Sequence, residues 1–232
     1  MKEICLVGGD ARMAHAARIL ERAGYSTARI TLADAQAHAA RGSVIVGAGL
    51  PDLPGCIDYT MDEAFLYDNA RLTAEGAVML LGTCTQGAVF GMDVALIGMG
   101  RIAECMCPLL RALGARVTVY ARRPEALARA RAMGAQTVRF SDRLPACAVR
   151  HDALCNTVPH VLFDRALLTL AGQEVLLLEL ASVPGGFDMD AVRDLGTRYV
   201  DGRGLPGKYA PQAAGALIAD YVMETLKERE HE

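Results

Sequence analysis

The sequence predicts an α/β protein in which a small N-terminal α/β domain precedes a doubly wound parallel sheet. Three observations carry that prediction. Apolar runs of strand length alternate with helix-length segments along the whole chain, the pattern of parallel sheets rather than hairpins. One such run, Val94-Ala-Leu-Ile97, passes straight into Gly98-Met-Gly100-Arg-Ile-Ala103 and then into a helix-like segment, Arg101 to Leu113. Hydrophobic residues make up 52% of the 232, enough to bury both faces of such a sheet.

The elements follow in order. Glu3 to Val7 reads as the first strand, and after Gly8-Gly-Asp10 a helix runs to Ala23 with Met13, Ala16, Ala17 and Leu20 at helical spacing. Thr27 to Ile30 and Ser43 to Val46 are the next strands, separated by a short alanine-rich helix. Residues 47–58 hold Pro51, Pro54 and three glycines and read as loop. A long apolar helix is predicted from Thr73, a suitable N-cap, to about Gln86. Strands are then expected near 94–97, 116–120, 136–138, 153–156, 175–180 and 198–200. The last helix, Pro211 to Lys227, is apolar on one face and precedes a charged tail. The expected domains are 1–72, a connecting helix over 73–91, a nucleotide domain over 92–210, and a C-terminal helix, 211–232, that packs back toward the first domain.

Composition excludes several classes of function. A formal charge of −3 with no basic run argues against nucleic acid or an anionic membrane as partner. No apolar stretch approaches the ~20 residues of a membrane span, and Met1-Lys-Glu opens into a strand rather than a signal peptide, so a cytoplasmic protein is expected. The seven cysteines are scattered without a Cys-x-x-Cys pair; they read as reduced core thiols, with no metal expected.

The glycine motif has a mechanical reading. Gly98 permits a tight turn, Gly100 lets the backbone approach phosphates, Ala103 keeps the helix close to its strand, and the helix N-terminus offers N–H groups to an anion. This is a Rossmann-type dinucleotide site; the alternative is a βα turn with no ligand. At the end of the next strand an NAD-specific site places a carboxylate for the ribose hydroxyls. Here Ala121-Arg122-Arg123-Pro124 stands instead, offering two guanidiniums to a 2′-phosphate, so NADP is favoured, with NAD the second choice. Otherwise Arg122 and Arg123 merely solvate a loop.

Ligands of such sheets sit at the carboxyl ends of the strands, where the polar residues of this sequence converge. Asp10 and Arg12 follow the first strand, and a cation at a helix start is opposed by the helix dipole. An anionic substrate accounts for Arg12, and so does a salt bridge to Asp10. Asn156-Thr-Val-Pro159 is similar to the loop beside the nicotinamide in shikimate dehydrogenase-like proteins. Ser182 is read as a hydrogen-bonding group for ligand or as a turn cap before Pro184. Lys208, one of three lysines, lies in a Gly/Pro-rich loop and suits a carboxylate or a proton relay. Among the histidines, His160 beside the Asn156 loop is the one to test as a catalytic group.

Taken in order, Gly8-Gly-Asp-Ala-Arg12, Thr73-Ala-Glu-Gly76, Ile97-Gly-Met-Gly-Arg101, Asn156-Thr-Val-Pro159, Leu180-Ala-Ser-Val-Pro-Gly-Gly186 and Gly204-Leu-Pro-Gly207, with Ala210-Pro and Ala214-Gly, resemble the A-subunit family of dipicolinate synthase over nearly the whole chain. Two departures stand out. The N-terminal half is shorter than the family pattern between about Ser43 and Phe65, and Glu179 occupies a position expected to be Asp.

The resemblance implies NADP-dependent oxidation of dihydrodipicolinate, or its hydrated precursor, to pyridine-2,6-dicarboxylate in the mother cell of a sporulating bacterium. The family's flavoprotein-like B subunit is the implied partner, in a homo- or hetero-oligomer. The resemblance also places the active site between the two α/β domains. The cofactor set is then Gly98, Met99, Gly100, Arg101, Ile102, Ala121, Arg122, Arg123, Asn156, Thr157, Val158 and Pro159. Arg12, Asn69, Ser182, Gly185 and Gly186 are the substrate set, and Lys208, Glu75 and Asp10 the catalytic candidates. Three alternatives stay open. A shikimate dehydrogenase-like enzyme would need a Lys–Asp pair, yet no lysine lies between Lys2 and Lys208. The others are a nucleotide-binding partner protein without turnover, and a component limited to binding or dehydration.

Overall fold

The computed structural model describes residues 3–85 and 87–231. The chain folds into two compact units, Met1–Leu72 with Gly204–Glu232, and Thr73–Arg203. Residues 204–210, expected with the nucleotide domain, therefore group with the first unit.

The first unit is built on a parallel four-stranded sheet of order β2-β1-β3-β4: β1 (Ile4–Val7), β2 (Thr27–Ile30), β3 (Val44–Gly47) and β4 (Ile57–Asp58). The two-residue β4 lies at the end of the segment expected to be all loop; it pairs with β3 beside an Asp58 carboxylate that accepts the Leu50 and Thr60 N–H groups. Helix α1 (Ala11–Arg22) starts at Asp10, whose side chain accepts the Arg12 N–H, and it buries Met13, Ala16, Ala17 and Leu20. Those residues share a core with Ile218, Ala219 and Val222 of α9 (Pro211–His231). Gly215 sets how closely the helices approach, because a Cβ there would lie 2.5 Å from His15 Cβ and 2.7 Å from the Arg12 carbonyl oxygen. Helix α9 continues through the residues expected as a charged tail, since Leu226 keeps its apolar face packed on this core. On the sheet's other face, α2 (Ala35–Ala40) packs over Cys5 and Ile45.

Helix α3 (Glu63–Thr85) begins well before Thr73. Asp62 supplies the start, its carboxylate accepting the Phe65 N–H at 2.6 Å, and Thr73 is a buried interior residue rather than an N-cap. Gln86, the expected helix end, falls outside the described residues.

The second unit holds a parallel six-stranded sheet: β5 (Asp93–Ile97), β6 (Arg116–Ala121), β7 (Gln136–Arg139), β8 (Ala153–Asn156), β9 (Leu176–Glu179) and β10 (Arg198–Asp201). Read as β7-β6-β5-β8-β9-β10, the order is that of a dinucleotide-binding sheet, with the chain reversing direction of winding between β5 and β8. Val94, Ala95, Leu96 and Ile97 are fully buried, as a central strand covered on both faces must be. Helices α4 (Arg101–Ala112), α5 (Pro124–Ala132), α6 (Arg165–Ala171) and α7 (Met189–Leu195) complete the unit, and Pro124 occupies the first turn of α5. Residues 205–209, expected as loop, form the short α8 of the first unit.

The seven cysteines are all free, but only Cys5, Cys107 and Cys155 are buried; Cys147 is exposed, so the core-thiol reading holds for three. Among the described residues no helix is long and apolar enough to cross a membrane.

Candidate active site

A cleft of about 470 Å³ opens at the carboxyl ends of β5, β6 and β8, and Gly98, Met99, Gly100, Ala121, Arg122, Arg123, Thr157, Val158 and Pro159 line it with Ala126 and Phe140. Backbone geometry explains the glycines. Gly98 has φ +93°, its N–H donates to the Tyr120 carbonyl at 2.9 Å, and a Cβ would lie 2.6 Å from Thr157 Oγ1 and 2.8 Å from Val158 Cγ2. Thr157 closes the turn from the other side: its N–H and hydroxyl both donate to the Ile97 carbonyl, at 3.0 and 2.8 Å. Gly100 is the N-cap of α4 in extended conformation, and a Cβ there would meet nothing within 4 Å. That open space, in front of the first-turn N–H groups of α4, fits a pyrophosphate. Arg101 and Ile102 form the first turn of α4, whose Ala103 is fully buried against the sheet.

The end of β6 offers no carboxylate. Ala121 is buried, and the exposed Arg122 and Arg123 follow it at the rim of the cleft. Asn156 differs from the expected ligand-facing residue: it is wholly buried, and its side chain is spent on the protein. Its amide donates to the Val158 carbonyl (2.9 Å) and to Glu179 Oε1 (2.7 Å), while its oxygen accepts the Val158 N–H (3.2 Å). Asn156 therefore shapes the loop whose Val158 lines the cleft.

Glu179, at the end of β9, is the residue that sequence reasoning undervalued. It is 1% exposed, and its carboxylate accepts from Asn156, from the Ala181 N–H (2.9 Å) and from the Gly186 N–H (2.6 Å). Burial raises its pKa above the ordinary glutamate range; the three hydrogen bonds and the Arg203 charge oppose that rise without cancelling it. Gly185 and Gly186 are required by the Glu179 and Asn156 side chains. A Cβ on Gly185 would stand 2.6 Å from Glu179 Oε2, and one on Gly186 2.3 Å from Asn156 Nδ2. Ser182 is exposed, and its carbonyl accepts the Gly185 N–H in the intervening turn. The available signal is the departure from the expected Asp at 179, a polar residue at the end of an otherwise apolar strand.

In the first unit, Asp10 and Arg12 are partners. Asp10 caps α1 and takes hydrogen bonds from Arg12 Nε (3.1 and 3.2 Å) and Nη2 (2.7 Å). Partial burial raises the Asp10 pKa, but Arg12 and the α1 N–H groups bring it below the usual carboxylate value. Asp10 is thus a poor proton acceptor, and the salt-bridge account of Arg12 is the one the geometry shows. Arg12 also packs along α8, where a Cβ on Gly207 would lie 3.3 Å from its Nε; Lys208, the next residue of α8, is exposed. Asn69 is half-buried on α3, and Glu75 is exposed on the same helix beyond the unit boundary. His160 is exposed after the Asn156 loop.

Residues 70–181 match the family model described as D-isomer specific 2-hydroxyacid dehydrogenase, NAD binding domain. The A subunit of dipicolinate synthase from Bacillus subtilis (strain 168) is 34% identical over 171 residues, 73% of this chain; the match spans 57% of that protein's length. The solved structure of the same component from Bacillus subtilis superposes with a TM-score of 0.84 at 23% identity, covering 100% of this chain and 98% of that one. The A subunit of dipicolinate synthase from Bacillus halodurans superposes at 0.81 and 22%, covering 97% of each chain. At these identities the two structures speak for the fold.

Proposed function

We propose that this chain, an NAD(P)-dependent oxidoreductase similar to the A subunit of dipicolinate synthase, oxidises dihydrodipicolinate, or its hydrated precursor, to pyridine-2,6-dicarboxylate with NADP. The observation that supports this reading best is the cleft beneath Gly98 and Gly100, rimmed by Arg122 and Arg123 where an acidic residue would select NAD. A nicotinamide cofactor would supply a hydride acceptor, and this chain's residues would hold the ring and take up the accompanying proton; the hydrated precursor would also lose water as the ring becomes aromatic. Aromatisation supplies driving force, so the protein's task is to hold two carboxylates and orient the ring.

In this proposal Gly98–Ile102 receive the pyrophosphate, Ala121–Arg123 the adenosine ribose and its 2′-phosphate, and Thr157–Pro159 border the nicotinamide, with Asn156 holding that loop. Lys208 and the guanidinium edge of Arg12 that Asp10 does not occupy neutralise the substrate carboxylates, and Asn69 and Ser182 add hydrogen bonds. Of the candidate bases, Asp10 is committed to Arg12, which leaves Glu75. The flavoprotein-like B subunit of dipicolinate synthase is the proposed partner, in the mother cell during sporulation.

The test is product formation by this chain with and without that B subunit, from precursor generated in place from pyruvate and aspartate semialdehyde. Dipicolinate appearing in step with NADPH is the expected result; NADPH binding without product, even with the partner, would refute it. The cofactor preference has its own check. Replacing Arg122 and Arg123 with Ala and Gln should weaken NADP by about 10–100-fold, the worth of one or two charge-assisted hydrogen bonds, and leave NAD nearly unchanged. An unaltered NADP/NAD ratio of kcat/KM would mean that the arginines only solvate the loop.

A further inference from the structure

We propose that Glu3, Cys5 and His38 form a zinc-type metal site in the first unit, at the end of β1 opposite the Asp10–Arg12 loop. Glu3 and Cys5 are two residues apart on an extended chain and so face the same side. That side is covered by α2, which carries His38. The three donor atoms form a compact triangle: Cys5 Sγ lies 3.4 Å from His38 Nδ1 and 3.6 Å from Glu3 Oε2, and the latter two are 3.9 Å apart. A zinc ion with sulfur at about 2.3 Å and nitrogen and oxygen at about 2.0–2.2 Å holds its tetrahedral ligands roughly 3.3–3.6 Å from one another. The triangle is therefore near the required size before any ion enters.

The donor chemistry narrows the metal. Thiolate, imidazole and carboxylate suit zinc or cobalt(II); calcium and magnesium want six or more oxygens. Cys5 is fully buried, so it is out of reach of a bulky electrophile, whereas the partly exposed Glu3 and His38 leave an entry path for an ion and a fourth position for water. Binding exchanges the thiol proton for the metal and releases it to water; thiolate and carboxylate together balance the dication. The ion would tie β1, an interior strand of the four-stranded sheet, to α2. The donors come from Glu3-x-Cys5 and a histidine 33 residues beyond Cys5, a spacing that no metal motif in the sequence announces.

The full chain, stripped with a chelator, is titrated with zinc and separately with cobalt(II), following heat, absorption and the unfolding midpoint. We expect one equivalent of zinc, a cobalt–thiolate charge-transfer band, and a midpoint that rises with zinc. Cys5→Ser and His38→Ala should each weaken zinc at least 100-fold and abolish the rise, and Glu3→Gln should weaken it about tenfold. Glu3 and His38 are partly exposed, so their variants keep the test valid if Cys5→Ser fails to fold. The proposal is overturned by the absence of a thiolate band, or by zinc affinity that His38→Ala and Glu3→Gln leave unchanged.

Discussion

Replacing Gly98 with alanine is expected to abolish nucleotide binding and lower the unfolding midpoint by about 5–15 °C. Two separate costs add at this position. At φ +93° an L side chain is strained by roughly 1–3 kcal/mol. The new methyl would also press on Thr157 Oγ1 at 2.6 Å and Val158 Cγ2 at 2.8 Å, an overpacking cost of about 1–3 kcal/mol. Each kcal/mol lowers the midpoint of a protein of this size by about 2–4 °C. Thr157 cannot retreat without breaking its two hydrogen bonds to Ile97, so the rim of the cleft has to move. Gly100→Ala separates folding from binding. A methyl there meets no protein atom within 4 Å, so stability should change by less than about 1 kcal/mol while NADP affinity falls at least tenfold. Equal affinity in the parent and both variants, by fluorescence titration of NADPH, would remove the phosphate from this turn.

The fold was readable because its signals are local. The β2 and β8 spans match their expected ranges residue for residue, and the face of α1 is buried through the four residues that periodicity picks out. What misled was chemistry that two positions share. Thr73 has a capping side chain, but Asp62 already starts the helix, and capping propensity says nothing about which candidate is used. The charged residues after Lys227 look like a tail because their contacts, such as Arg229 to the Gly55 and Cys56 carbonyls, cross 174 and 173 residues of sequence.

The candidate site divides along the same line. Nine of the twelve residues named for the cofactor line one cleft, since each ends or closely follows a strand and the parallel sheet gathers strand ends. Asn156 was placed with them, although its side chain turns inward; direction is fixed by Glu179, on a different strand. Arg12 read equally as an anion clamp or an ion pair until the position of Asp10 was known.

Glu179→Gln is expected to raise the KM for NADP about tenfold, near 1.4 kcal/mol, with a smaller change in kcat, and to destabilise the protein by about 1–3 kcal/mol. The carboxylate accepts from three donors, two on Oε1 and one on Oε2. A glutamine must turn its own N–H₂ toward at least one of them, leaving buried donors facing each other. If Asn156 is released, Val158 loses its two hydrogen bonds to that side chain and keeps only the His160 N–H on its carbonyl, so Glu179 acts as a positioning residue through Asn156. Glu179→Leu leaves all three donors without the carboxylate and should cost more. The pH dependence gives an independent sign. Because burial raises the folded pKa, the contribution of Glu179 to stability is fully present below the ordinary value of 4.5 and is lost as pH rises through the raised folded value. The parent should lose stability over that window relative to Glu179→Gln, whose side chain does not titrate. Parallel stability–pH curves, together with an unchanged KM, would show that the carboxylate neither carries the burial cost nor holds the loop.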